Sequence, residues 1–153
     1  MPIYLDETEV VQGADAFRSV LIVPCRFCPA ASMAIREQKP YVRLLSGSFK
    51  TEPYERLIGR IKRKFEGKGI RTKVFRSSLL HQFVLCTWTS RRRQKLSRVA
   101  RKYDALLVLG CEGALRTVND IVGPGSCTVL AGMRSEGVMS IVPRLSFPCD
   151  ISL

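Results

Sequence analysis

The stretch DALLVLGC, Asp104 to Cys111, constrains the fold more than any other part of the chain. Its apolar residues are not interleaved with polar ones, so a strand built from them has to be covered on both faces. The same pattern occurs in SVLIVPC (Ser19 to Cys25), in FVLC ending at Cys86, and in CTVLAGM (Cys127 to Met133). IRTKVFR alternates instead, as a strand with one exposed side does.

Helical patterns separate these runs. Pro29 suits a first helical turn and is followed by Ala30, Ala31, Met33, Ala34 and Ile35 before Pro40 intervenes. In TEPYERLIGRIKRKFEGKG, Thr51 can cap a helix that Gly67 and Gly69 close. Tyr54, Leu57, Ile58, Ile61 and Phe65 form its apolar stripe. TSRRRQKLSRVARKYD turns Leu96, Val99, Ala100 and Tyr103 inward, with Thr89 or Ser90 as cap. EGALRTVNDIVG spaces Leu115, Val118 and Val122 for packing. Strands alternating with helices predict an α/β three-layer sandwich around a mostly parallel sheet, flavodoxin-like or Rossmann-like. Residues 1–18 read as a polar lead-in and 19–153 as one cysteine-bearing domain, ending in an extended, proline-broken tail.

No apolar run reaches the ~20 residues of a membrane helix, and MPIYLDETEVVQ lacks a signal-peptide pattern. Both point to a cytoplasmic protein without a membrane partner. In that reducing compartment the six cysteines read as metal ligands or reactive thiols rather than disulfides.

Four of the six converge in the expected fold. Cys25, Cys86 and Cys111 each close an apolar run, and Cys28 follows Cys25 in a C-x-x-C pair. Loops beyond the carboxyl ends of parallel strands form the ligand crevice of an open α/β sheet. Four thiolates there suit a [4Fe–4S] cluster, with Zn²⁺ as the alternative. Scattered ligands favour the cluster, because structural zinc sites usually draw on two close pairs. A redox dithiol at Cys25 and Cys28, or plain burial of all four, are the other readings. Cys127 opens a strand and belongs at the opposite edge, while Cys149 is at most a reserve ligand. His81, the only histidine, lies five residues before Cys86, and Trp88 and Phe27 flank the cysteines. No defensible catalytic carboxylate pair, triad or phosphate loop is recognisable, and whether the chain is an enzyme stays open at this point.

The order of these features, a strand ending in C-x-x-C, an isolated cysteine, then YDALLVLGCEGALRTVNDIVG, resembles the C-terminal domain of anaerobic methylenetetrahydrofolate reductases. That domain also occurs as a small companion subunit. The resemblance spans about residues 19–150. It implies an iron–sulfur, or zinc, accessory protein of anaerobic metabolism that supports electron delivery to a flavin-containing subunit. It carries a ligand role over to Cys25, Cys28, Cys86 and Cys111.

Net charge is +12, and it is concentrated in RIKRK and RRRQKLSRVARK. Such a surface attracts an acidic partner. An acidic redox protein or flavoenzyme subunit is the expected one. The alternative is a structural-zinc or metal-free module that binds nucleic acid or an anionic ligand through this face.

Overall fold

A computed structural model describes residues 3–7, 16–43, 50–76, 84–125, 127–147 and 150–153. Four strands form the parallel sheet: β2 (Ser19–Pro24), β4 (Arg71–Val74), β5 (Ala105–Leu109) and β6 (Thr128–Ala131), in the order β4-β2-β5-β6. The two central strands are the unbroken apolar runs, and every residue of both is buried. Alternation about each strand splits their side chains between two cores. Val20, Ile22, Ala105, Leu107 and Leu109 face one side; Leu21, Val23, Leu106 and Val108 face the other.

Helices α1 (Cys28–Arg36) and α2 (Glu52–Gly67) cover the first side. The predicted stripe of α2 is buried as a unit, with Tyr54 and Phe65 fully enclosed. Burying side chains of this size stabilises by roughly 1.5–3 kcal/mol each. Gly69, at φ +76°, takes the left-handed conformation that ends the helix, and its N–H reaches the Glu66 carbonyl at 2.9 Å. Thr51 sits at the amino end of α2, but its hydroxyl donates to the Tyr41 carbonyl at 2.7 Å instead of capping the helix.

Helices α3 (Ser90–Ala100) and α4 (Glu112–Val122) cover the second side. Leu96, Ala100, Ala114 and Val118 are fully buried there, with Val99, Tyr103, Leu115 and Val122 packed at the margin. Thr89 holds the cap position of α3, again without a side-chain capping bond.

Two expectations need correcting. FVLC does not end in a strand: Leu85–Thr87 forms a single 3-10 turn. β4 already occupies the edge beside β2, and Leu85 is instead buried between the sheet and α4. Nor is the start of the chain only a polar lead-in. Ile3–Glu7 forms β1, paired antiparallel with β7 (Met133–Val138), and Leu5 is completely buried. The tail contributes β8 (Arg144–Ser146) and β9 (Asp150–Ser152), which form a small sheet with β3 (Val42–Arg43). Among the described residues no helix is long and apolar enough to cross a membrane.

Candidate metal centre

The chain leaves the sheet in opposite directions from β2 and β5, so the carboxyl ends of these neighbouring strands flank a crevice. Cys25 lies one residue beyond β2 and extends the pairing, its N–H reaching the Leu109 carbonyl at 2.9 Å. Cys28 is the first residue of α1, and Cys111 stands at the cap position of α4. Gly110 permits this crowding: a Cβ there would stand 2.7 Å from that of Ala114 and 3.2 Å from that of Cys25.

Cys28 and Cys111 are hydrogen-bonded to each other across the crevice. The Cys111 sulfur also accepts from the backbone N–H groups of Ala114 and Gly113. This set draws the Cys111 pKa below the ordinary thiol value. The same hydrogen bond, followed by burial, pushes the Cys28 pKa up. The N–H of Ile3 also reaches the Cys28 sulfur, so β1 closes one side of the pair.

Cys25 is different. It is 2% exposed and packs with Leu85 and Trp88 on the second side of the sheet, whereas Cys28 packs on the first. Its sulfur accepts from the Leu85 N–H at 3.5 Å and from the Phe27 N–H, and burial raises its pKa. It lies within electrostatic reach of Cys28, Cys86 and Cys111. Cys86 is exposed in the 3-10 turn. The four cysteines thus share one end of the sheet, and the contact pair is Cys28 with Cys111 rather than the two halves of C-x-x-C. Among the described residues no three Cys, His, Asp or Glu side chains are drawn to ligating distance.

Cys127 lies just before β6, at the amino edge, as its place in the sequence predicts. Cys149 and His81 lie outside the described residues. Glu112 is engaged by the Ser135 hydroxyl at 2.6 Å, and Asp104 accepts from the Ser19 N–H and hydroxyl at 2.8 and 2.9 Å.

Three supporting residues escape a reading of sequence alone. Tyr54, fully buried, donates to the Leu109 carbonyl at 3.0 Å, and Tyr41 donates to the Arg26 carbonyl at 3.1 Å. Burial, then the charge of Cys25, pushes the Tyr41 pKa up to about 12. Arg26, inside C-x-x-C, is 8% exposed and bonds Glu55 of α2 through Nε and Nη2 at 3.0 and 2.8 Å. Only the polar tip of Tyr54, on an otherwise apolar stripe, hinted at such a role. On the other side, Arg92 leaves the basic surface to which its neighbours belong. It is buried over the rings of Phe75 and Trp88, at 4.4 and 5.1 Å.

Comparison with protein-family models, curated proteins and solved structures finds no match to this chain.

The crevice gathers sulfur atoms from three loops, with backbone N–H groups directed at those of Cys25 and Cys111. A hydrogen-bonded pair of cysteines has the chemistry of a dithiol couple.

Proposed function

We propose that the chain is an iron–sulfur accessory or electron-transfer protein, with Cys25, Cys28, Cys86 and Cys111 as ligands of one [4Fe–4S] cluster. The single observation that carries this reading is the gathering of four sulfurs from three loops at one end of the sheet. A cluster there would supply one-electron redox chemistry. The protein's part would be to supply the thiolates, shield Cys25 and Cys28 from water, and hold the loops through Tyr54, Tyr41 and Arg26. The strand order β4-β2-β5-β6 repeats the first four places of the flavodoxin-like order, and the crevice is where that architecture binds cofactors. The reading agrees with the resemblance to the C-terminal domain of anaerobic methylenetetrahydrofolate reductases.

The partner in this proposal is an acidic redox protein or flavoenzyme subunit. Arg91, Lys95, Arg98 and Arg101 project from α3 with no carboxylate partner among the described residues, and the exposed Cys86 lies just before that helix. Charge complementarity would steer such a partner to the side on which Cys86 emerges.

Anaerobic reconstitution with iron and sulfide, followed by metal analysis and visible absorption, tests the proposal. Cluster absorption lost on substituting any of the four cysteines supports it. One zinc per chain and no iron would indicate a structural site. A protein that takes up neither metal overturns the metal reading. The Cys28–Cys111 hydrogen bond favours a second one: a dithiol couple, read as reversible loss of two titratable thiols on oxidation.

A further inference from the structure

Helix α2 carries a second feature that is independent of the cysteines. Along its solvent side, toward β3, runs a cleft of about 570 Å³, within the range of small-molecule sites. Arg43, Lys50, Arg56 and Arg63 line it, against Glu52 and Glu55. Glu55 is already neutralised by Arg26, and Glu52 is shared among Lys39, Arg43 and Arg56. Lys50 and Arg63 have no carboxylate partner among the described residues. The walls are therefore net positive where they face the cleft.

Gly59 lies in the middle of α2 and forms part of the wall. A glycine in a helix interior is destabilising relative to alanine. Packing elsewhere often explains such a glycine, but here a Cβ would meet nothing within 4 Å. Its φ is ordinary for a helix, so the backbone does not require it either. The missing side chain leaves open space in the cleft itself.

We propose that this cleft binds a phosphorylated small molecule, with the face of Gly59 admitting the body of the ligand and Arg63, Lys50 and Arg43 taking its phosphate oxygens. Arginine forks match phosphate geometry, and two arginines with a lysine are suited to more than one phosphate group.

Titration of the full chain with inorganic pyrophosphate, magnesium-free ATP and citrate, read by calorimetry and thermal shift, tests the proposal. Saturable binding of ATP or pyrophosphate, with citrate weaker, is expected. Gly59→Leu should abolish binding while raising the melting temperature of the free protein, because leucine is the better helix former. Arg63→Gln should weaken binding by about tenfold or more, the loss of one charge-assisted hydrogen bond. Binding should survive Cys28→Ala and the pair Arg91→Gln with Lys95→Gln. No saturable binding by the native chain overturns the proposal. So does binding that Gly59→Leu leaves intact, or that the α3 substitutions remove.

Discussion

The two sides of the sheet are covered by basic helices of similar appearance in sequence but opposite construction. On the α2 side several of the cations are tied down by carboxylates. Arg56 pairs with Glu52 and Glu37, Lys62 with Glu66, and Arg26 with Glu55; the first turn contains Glu52 and Glu55, where the helix dipole favours negative charge. On the α3 side, the helix has no acidic residue, and Arg91, Arg92 and Arg93 fall in its first turn against the dipole. One of the three, Arg92, is withdrawn under aromatic rings, and the rest of the helix's positive charge is left for solvent or a partner. The lesson is that α2 pairs much of its charge within its own surroundings and leaves Arg63 to the cleft, whereas α3 has no carboxylate of its own to pair with. The cysteines divide along the same line, with Cys28 in the first core and Cys25 in the second.

The strongest way to break this comparison is through the α2 core. Phe65→Ala should cost about 3–5 kcal/mol in denaturant unfolding. A loss below about 1 kcal/mol would mean that α2 does not anchor the first side. Cys28→Ala should move the lowered Cys111 titration in the metal-free protein upward toward the ordinary thiol value, followed by thiolate ultraviolet absorbance against pH. An unchanged titration would show that the α4 amides alone hold the thiolate. Glu55→Gln leaves the guanidinium of Arg26 short of its charge partner and should destabilise by about 2 kcal/mol. Equal stability would make that pair incidental to the C-x-x-C loop.

Asp104 gives the pH test. Hydrogen bonds from the Ser19 hydroxyl and the Ser19 and Arg18 N–H groups depress its pKa below 3.8. Its contribution is therefore fully present above about 3.8 and is lost as pH falls through the lower folded value. Asp104→Asn should flatten that part of the acid-unfolding curve, and an unaltered acid limb would contradict it. The smallest effect is the sharpest for α3. Arg91→Glu should raise stability by about 0.3–1 kcal/mol by agreeing with the helix dipole, while weakening retention on an acidic matrix. A stability loss would show that the arginine is structural.

Much of the scaffold is legible from residue order. Unbroken apolar runs allow no exposed face, so DALLVLGC and SVLIVPC had to become the central strands. The α2 stripe had to face the sheet because its five apolar residues share one side of a 3.6-residue repeat. The placement of Cys25 and Cys111 was legible too, since parallel strands send their carboxyl ends one way, whereas Cys86 arrives on a 3-10 turn. FVLC was misleading because a short apolar run does not say whether it pairs or merely plugs a core. β1 was hidden because its pairing partner, β7, lies some 130 residues away in the chain.

What the sequence by itself determined is thus the layered α/β core and the edge at which Cys25 and Cys111 follow their strands, both consequences of local periodicity and strand direction. What only the tertiary structure decided is pairing among side chains. Cys28 meets Cys111 rather than Cys25, Arg92 turns inward while its neighbours stay out, and Gly59 opens onto a cleft. Those outcomes depend on which side of the sheet each turn releases its residue, and spacing along the chain does not encode that.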